Sequence, residues 1–195
     1  LVESPFAPLD LPAPFTAKEM STHIVMLGKS SAAIAKSFSR GQKSNINQAR
    51  RKGVQVRLAG NEQEIEQYYE IYLQTLKRWS TTKGKAYPRE LFLSLYRQQD
   101  PNVQFWLAEA HGVLIAGILV LAWRGSLVYW HGCAQKEYFN LYPNNLLHAT
   151  VIEKGCADGA AYYDMGPSMG LPGVVKFKES FGAQQHLFKA YRWKT

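Results

Sequence analysis

The stretch VQFWLAEAHGVLIAGILVLAWRGSLVYWHGCA, residues 103–134, determines the fold that the sequence predicts. It consists of three apolar segments of strand length, interrupted only at His111-Gly112 and Arg124-Gly125. Because short turns that contain glycine join antiparallel strands, we predict a meander of three strands over 103–110, 113–123 and 126–134. The middle segment is the longest apolar run of the chain, and it falls short of the roughly 20 residues that span a bilayer.

Helix and strand patterns alternate after the meander. We predict a helix over about 144–158, a strand over 161–165, a short helix over 171–181 and a last strand near 187–193. A helical connection between two strands indicates parallel pairing or a jump across the sheet. Where a parallel strand joins a meander, the two adjoining strands can separate and open a cleft at the N-terminus of the connecting helix.

The N-terminal part is less regular. Residues 1–20 are rich in proline and lack periodicity, so we expect a tether or an edge segment there. Residues 30–52 follow a helical pattern that breaks near Gly41, with Ser44 or Asn45 able to cap a second, basic helix.

Short strands over 22–27 and 54–59, a helix that Asn61 caps and a helix that starts at Pro88 are also predicted. The resulting fold class is α/β (α+β), with a mixed, mostly antiparallel sheet flanked by helices.

The net charge and the two cysteines indicate which partners and which cell compartment suit the protein. The formal charge of +8 favours anionic partners such as phosphates, nucleic acid or a membrane surface. Part of the positive charge lies in one N-terminal segment, on Lys36, Arg40, Lys43, Arg50, Arg51, Lys52 and Arg57. This segment is either a solvated helix face or a surface for phosphate or RNA. Cys133 and Cys156 lie in no metal-ligand spacing, so we expect reduced thiols, a reducing cytoplasm and no metal.

Three motifs in the last third of the chain carry a resemblance. They are Leu141-Tyr142-Pro143-Asn144-Asn145-Leu146-Leu147 at the start of a helix, Tyr163-Asp164-Met165-Gly166 at the end of a strand, and Phe177-Lys178 with Phe181-Gly182 on the last helix. Thr75-x-x-Arg78 and the basic 44–56 stretch are weaker signals. With this order of elements, residues from about 22 onward resemble the GCN5-related N-acetyltransferase (GNAT) superfamily, and its Fem-type (FemAB-like) branch in particular.

The resemblance implies an organisation and a donor. Fem-type proteins usually hold two such domains in tandem, so residues 1–53 would be the remnant or junction of a preceding domain and 54–195 a GNAT-like acyltransferase domain. Because the chain begins at Leu1, we expect a fragment that is weakly active alone. Relatives that use acetyl-CoA usually carry a glycine-rich pyrophosphate loop, but Asn140-Leu141-Tyr142-Pro143-Asn144-Asn145 contains no glycine. The resemblance therefore implies an aminoacyl-tRNA or acyl-CoA donor with no tightly bound cofactor, and the missing glycines disfavour acetyl-CoA relative to a Fem-like donor or another acyl carrier.

The resemblance also implies catalytic roles near the C-terminus. Lys178 would stabilise the negative charge that develops in acyl transfer, and Phe177 would shape the donor pocket. An exposed helical lysine is the alternative. Asp164 would orient the amine or accept a proton, although a carboxylate that caps the next loop explains it as well.

Other candidates for substrate binding have structural alternatives. Tyr129 and His131, two apart in one strand, would project to the same face and line the cleft, or form a half-buried pair. In the helix-start motif, Tyr142, Asn144 and Asn145 are candidates for substrate contacts, while an asparagine there also suits a helix cap. Arg78 is either a phosphate clamp or a surface cation paired with Glu66 or Glu70. The remaining histidines, such as His23, His148 and His186, show no partner in the sequence.

The leading hypothesis is an acyltransferase that forms an amide on an amine acceptor, nucleotide-linked or lipid-linked, in peptidoglycan or exopolysaccharide biosynthesis of a bacterium. It would act in the cytoplasm, either free or at the inner face of the membrane. Two alternatives are a conventional acetyl-CoA-dependent N-acetyltransferase and a noncatalytic module that binds tRNA through the basic segment. The sequence leaves the oligomeric state open.

Overall fold

One mixed sheet organises the part of the chain that the computed structural model describes, which is residues 2–3, 11, 14–28, 30–78 and 86–193. Its eight strands there are β1 (Val2–Glu3), β2 (Phe15–Met26), β3 (Gln55–Leu58), β4 (Val103–Ala110), β5 (Val113–Trp123), β6 (Ser126–Ala134), β7 (Tyr162–Asp164) and β8 (Gln184–Trp193). Their order across the sheet is β1-β8-β2-β7-β6-β5-β4-β3. The mixed, mostly antiparallel sheet is therefore confirmed.

Six α-helices accompany the strands within those residues. They are α1 (Ser31–Ser37), α2 (Arg40–Arg51), α3 (Glu62–Arg78), α4 (Arg89–Arg97), α5 (Pro143–Ala157) and α6 (Pro172–Glu179), with a 3-10 helix at Lys136–Leu141. Two apolar cores lie on opposite faces of the sheet. Helices α1, α2 and α5 contribute Ile34, Ile46 and Leu147 to one core, and α3 and α4 contribute Tyr68 and Phe92 to the other. No helix of the described residues is long and apolar enough to cross a membrane.

The meander and its parallel neighbour follow the sequence prediction. Strands β4, β5 and β6 pair antiparallel and have the predicted bounds, because each carries its own apolar pattern and glycine turns separate them. Strand β7 pairs parallel to β6 after the α5 connection. On its other side β7 pairs antiparallel with β2, which in turn pairs with β8 over ten positions from Phe15 to Ile24.

The N-terminal part corrects three predictions. Residues 15–20 belong to β2, so the prediction of irregular chain over all of 1–20 is wrong. This segment is held as a strand by its long pairing with β8, because its own sequence has no strand periodicity. The break between the first two helices lies at Phe38-Ser39 rather than near Gly41. Ser39, not Ser44 or Asn45, caps α2, because its Oγ accepts a hydrogen bond from the backbone N–H of Gln42 at 3.1 Å.

Other local predictions have mixed outcomes. Asn61 caps α3 as predicted, since its Oδ1 accepts from the backbone N–H of Glu64 at 3.0 Å. The loop around Thr81, Lys83, Gly84 and Lys85 lies outside the described residues. A domain boundary at residue 53 stays a prediction; β2, α1 and α2 pack onto the same sheet and core as the rest of the chain.

Candidate functional site

The pairing between β6 and β7 stops early and leaves a cleft. Only three positions pair, from Ser126 with Tyr162 to Val128 with Asp164. Beyond them, Tyr129 and Met165 line a cavity of about 590 Å³ that α3, α5 and α6 border, here called the β6/β7 cleft. The opening therefore lies where the parallel strand joins the meander, as the order of elements predicted.

Lys178 is a buried ammonium in this cleft. Only 4% of the residue is exposed, although α6 is a short helix near the surface. Its Nζ donates hydrogen bonds to the carbonyl oxygens of Gly166 (2.7 Å) and Pro167 (3.0 Å). Burial lowers the Lys178 pKa to about 8, and the Asp164 carboxylate opposes that shift. An exposed helical lysine is thus the wrong description, and one of the three ammonium protons remains for the cleft.

Asp164 organises the loop that Lys178 holds. It is buried, and its Oδ1 accepts hydrogen bonds from the Thr22 hydroxyl and from the backbone N–H of Gly166 at 2.8 Å. Gly166 has φ of 74°, the left-handed region in which glycine is unstrained. Asp164 does not line the cleft. The contacts match the loop-capping alternative, and a direct chemical role for Asp164 stays a prediction.

A bulge in β6 separates the two candidates on that strand. Leu119 pairs with His131 and its neighbour Val120 with Tyr129, so Trp130 is an extra residue. The expectation that Tyr129 and His131 share a face is therefore wrong, because an extra residue reverses the alternation of side chains. Both residues line the cleft from opposite faces of the sheet.

Each of these two residues packs among aromatic rings. His131 Nδ1 shares a hydrogen bond with the Tyr68 hydroxyl at 2.6 Å, and its ring centroid lies 4.5 Å from that of Tyr72. Burial lowers the His131 pKa to about 4. The Tyr129 ring instead packs against His148, with centroids 5.0 Å apart. Burial also raises the Tyr129 pKa, so phenol and imidazole are both neutral at pH 7.

His148 and Phe177 lie side by side at the inner wall of the cleft. Their ring centroids are 5.5 Å apart, so the predicted pocket residue Phe177 does line the cleft. His148 Nδ1 shares a hydrogen bond with the Tyr163 hydroxyl at 2.8 Å. Sequence reasoning missed His148 because its partner lies on β7, fifteen residues away, and a lone histidine in an apolar helix carries no local signal.

Arg78 borders both the cleft and a smaller polar pocket. Its guanidinium donates to the carbonyl oxygen of Ala134 at 3.1 Å and lies over the Phe139 ring at 4.9 Å. The alternative that Arg78 pairs with Glu66 at the surface is wrong, because Glu66 forms its salt bridge with Arg89. The smaller pocket, which Arg78 shares, is lined by Gln74, Lys77, Gln135, Lys136 and Glu137. A role as phosphate clamp stays a prediction.

The start of α5 differs from the cap that the asparagines suggested. Tyr142 is the N-cap residue with φ of 56°, and Pro143 is the first helical residue, so Asn144 and Asn145 lie inside the helix. Tyr142 thus takes the left-handed conformation without being glycine. The Asn145 amide donates to Gln42 Oε1 at 2.8 Å and is buried, whereas Asn144 lines the cleft. Substrate contacts by these residues stay predictions.

The charge inside the cleft has one sign. Among the described residues that line it, the charged side chains are Arg78 and Lys178, and none is an aspartate or glutamate. The described residues also include no group of three or more metal-ligating side chains. Two cations and neutral imidazoles suit an anionic ligand and a carbonyl oxygen that gains negative charge.

Comparison with known proteins identifies related domains. Residues 36–182 match the family model of the acetyltransferase (GNAT) domain. FemX superposes with a TM-score of 0.74 at 15% identity, which covers 87% of this chain and 61% of FemX. L-PGS from Bacillus licheniformis gives a TM-score of 0.64 at 12% identity, covering 93% of this chain and 63% of that protein. At these identities the structural likeness shows a shared fold.

An N-acetyltransferase that the chain covers almost completely also shares the fold. The ribosomal-protein-S18-alanine N-acetyltransferase from Escherichia coli has a TM-score of 0.56 at 9% identity, covering 73% of this chain and 96% of that enzyme. Curated protein sequences give no significant match. The chain therefore spans 61–63% of FemX and L-PGS and most of the fold of a small acetyltransferase.

Proposed function

The chain belongs to the acetyltransferase (GNAT) domain family, and on this premise we propose that it transfers an acyl or aminoacyl group to an amine and forms an amide in the β6/β7 cleft. The observation that carries the proposal is the Lys178 ammonium, 4% exposed and turned into a cavity that contains no described carboxylate. With a pKa of about 8, the ammonium outnumbers the neutral amine by about ten to one at pH 7.

The reaction needs little more from the protein than position and charge. The acceptor nitrogen attacks the carbonyl carbon of an activated ester or thioester, and the carbonyl π electrons move onto oxygen. When this oxyanion collapses, the bond to the leaving oxygen or sulfur breaks, and the proton lost by the amine neutralises the leaving group. Lys178 lowers the barrier by stabilising the oxyanion, which is an effect of about 10² to 10³ in rate for one such interaction.

We propose an anionic acyl donor, either an aminoacyl-tRNA or an acyl-CoA. Arg78 and the adjoining pocket that contains Lys77 and Lys136 are suited to phosphate groups. The missing glycine loop and the likeness to FemX favour the aminoacyl-tRNA. The exposed basic residues of α2 would then contact RNA; two cations of the N-terminal set are paired, Arg50 with Glu153 and Arg57 with Glu64 and Glu109.

The acceptor that we propose carries its amine on a lipid-linked or nucleotide-linked precursor of peptidoglycan or exopolysaccharide. Exposed apolar side chains border the cleft mouth, with Met169 at 78% and Leu171 at 52% exposure. Together with the charge of +8, they suit work in the bacterial cytoplasm close to the inner face of the membrane.

A pair of neighbouring valines tests whether the reaction occurs in this cleft. Val174 lines the cleft and Val175 does not, although both are half-buried on α6. The protein is incubated with acetyl-CoA or alanyl-tRNA and a panel of amines, and amide products are detected by mass spectrometry. Val174→Trp should narrow the cleft and sharply lower the yield of product, while Val175→Trp should retain it. Equal activity of the two variants would place the reaction elsewhere.

The donor is identified by thermal-shift titration with acetyl-CoA and with tRNA in parallel. Stabilisation by tRNA that weakens steeply with added salt supports the RNA donor, because released counterions drive that binding. Stabilisation by acetyl-CoA alone at micromolar concentration contradicts it and favours the acetyl-CoA-dependent enzyme. Binding of tRNA without any amide product under all conditions favours the noncatalytic module.

A further inference from the structure

His148 is a buried side chain that the mechanism above leaves without a role. It lies in the second turn of α5, is 4% exposed, and is surrounded by the rings of Tyr129, Tyr163, Phe177 and Phe181. Nδ1 shares its hydrogen bond with the Tyr163 hydroxyl. Nε2 has no hydrogen-bond partner among the described residues, but it is not among the fully buried unpaired atoms. His148 also lines the β6/β7 cleft. One ring nitrogen is therefore held by β7 and the other reaches the cavity.

The hydrogen bond to Tyr163 determines which nitrogen carries the proton. Tyr163 is fully buried, and its hydroxyl has no other partner among the described residues. Burial raises the Tyr163 pKa well above its ordinary value, so the phenol keeps its proton. A buried hydroxyl proton without an acceptor is costly, and the acceptor within reach is Nδ1. If Tyr163 donates to Nδ1, the neutral imidazole carries its own proton on Nε2.

The ring is neutral at any pH at which the protein would work. Burial, with a smaller contribution from the Lys178 charge, lowers the His148 pKa to about 3. A neutral ring with a protonated Nε2 is a hydrogen-bond donor that retains its proton and cannot take one from the acceptor amine. His148 and Lys178 thus direct two donors of different charge into the same cavity.

We propose that His148 is a catalytic residue whose Nε2–H, facing the β6/β7 cleft, donates a hydrogen bond to the carbonyl oxygen of the acyl group and stabilises the oxyanion together with Lys178. The inference rests on the proposed acyl transfer and adds a second group to it. No proton leaves His148: the acceptor nitrogen forms the new C–N bond, the carbonyl oxygen gains and then returns an electron pair, and the bond to the leaving oxygen or sulfur breaks. The proton that the amine loses neutralises this leaving group.

Nitrogen-15 NMR of the labelled histidines tests the proposal without depending on turnover. In the free protein, His148 should show a protonated Nε2 and an unprotonated Nδ1 from pH 5 to 8. A protonated Nδ1 overturns the assignment. The Nε2–H proton resonance should then move downfield with acetyl-CoA, or with a stable amide analogue of an aminoacyl-adenosine. CoA or adenosine, which lack the acyl carbonyl, should leave it in place; a resonance that neither acyl-bearing probe moves overturns the proposal.

Two amide variants separate the catalytic role from a packing role. Glutamine can place an N–H near the Nε2 position and asparagine near the Nδ1 position, so His148→Gln should retain turnover within about tenfold and His148→Asn should lose about 10² to 10³ in kcat. Equal kcat of the two folded variants, at the wild-type level or below it, contradicts the proposal. A wild-type protein that forms no amide contradicts the proposed function instead, and the NMR result still decides the hydrogen bond.

Discussion

Two carbonyl oxygens of the loop after β7 hold the Lys178 ammonium in position by hydrogen bonds. The carbonyl oxygens of Gly166 and Pro167 accept hydrogen bonds from its ammonium, and Asp164 accepts a hydrogen bond from the Gly166 N–H of the same loop. The lysine, the loop and the aspartate are therefore one hydrogen-bonded unit, in which Lys178 and Pro167 line the cleft and Asp164 does not. The two residues that resemble a catalytic pair in the sequence thus differ in position, with Asp164 bound to the loop and Lys178 lining the cleft.

Replacing Asp164 tests its part in this unit. Asp164→Ala should lower the free energy of unfolding by about 1–3 kcal/mol, because the buried Thr22 hydroxyl and Gly166 N–H lose their acceptor. Urea denaturation measures the change. The control is Thr22→Val, which keeps the Gly166 bond and should lose less. A folded Asp164→Ala protein of wild-type stability would contradict the loop-organising role.

Arg78 is expected to act on binding rather than on chemistry. Arg78→Gln should raise KM for a phosphate-bearing donor with kcat nearly unchanged, because a phosphate contact that is equal in ground and transition states affects binding alone. Lys189→Gln is the control, because Lys189 is an exposed lysine of β8 that lines neither the cleft nor the smaller pocket. A fall in kcat with unchanged KM would instead mean that Arg78 contacts the reacting carbonyl.

At the level of elements, a small polar cluster joins α2, α5 and α6. Gln42 Oε1 accepts hydrogen bonds from the Asn145 amide at 2.8 Å and from the Ser180 hydroxyl at 3.0 Å. Each of the three residues stands on or next to a different helix of the same core. The cluster joins the start of α5 to the end of α6, two helix ends whose neighbours Asn144 and Lys178 line the cleft.

A double-mutant cycle measures this connection. Gln42→Ala and Asn145→Ala should each destabilise the protein, and their effects should fall short of additivity by about 0.5–3 kcal/mol because they remove the same hydrogen bond. Unfolding free energies of the two single variants and the double variant give the coupling. Strict additivity would show that the two side chains act independently.

The elements that sequence predicted best are those whose determinants are local. Strands β4, β5 and β6 carry their own apolar runs and turns, and α3 carries its cap at Asn61. The first half of β2 is a strand because it pairs with β8, more than 150 residues away in the chain. A local stretch of sequence carries no sign of such a distant partner. The same limit applies to the site: motifs predicted Lys178 and Phe177, whereas the Trp130 bulge and the His148–Tyr163 bond arise from the assembled sheet.

The fold as a whole keeps its buried histidines neutral, and this predicts an acid-sensitive protein. The folded pKa is about 3 for His148 and about 4 for His131, below the ordinary 6.5 of an unfolded chain. The unfolded state therefore binds more protons below pH 6.5, and stability falls with decreasing pH by as much as about 1.4 kcal/mol per unit for each histidine.

Urea denaturation between pH 7.5 and 5 measures this slope. His148→Gln should lower this slope by up to about 1.4 kcal/mol per pH unit, because one buried imidazole is gone while His131 and His23, whose pKa burial also lowers, remain. Above pH 7.5 the stability curves of variant and wild type should run parallel. A wild-type stability that is constant down to pH 5 would mean that the imidazoles are not buried as described.

The central claim is that a buried charge at Lys178 drives amide formation, and α6 offers its own control. Lys176 and Lys178 lie two residues apart on this helix, the first exposed and the second buried in the cleft. The most direct measurement is the single-turnover rate of amide formation by Lys178→Met and Lys176→Met, with folding verified by circular dichroism. We predict a loss of about 10² to 10³ for Lys178→Met and a wild-type rate for Lys176→Met. A folded Lys178→Met protein that reacts at the wild-type rate would contradict the account.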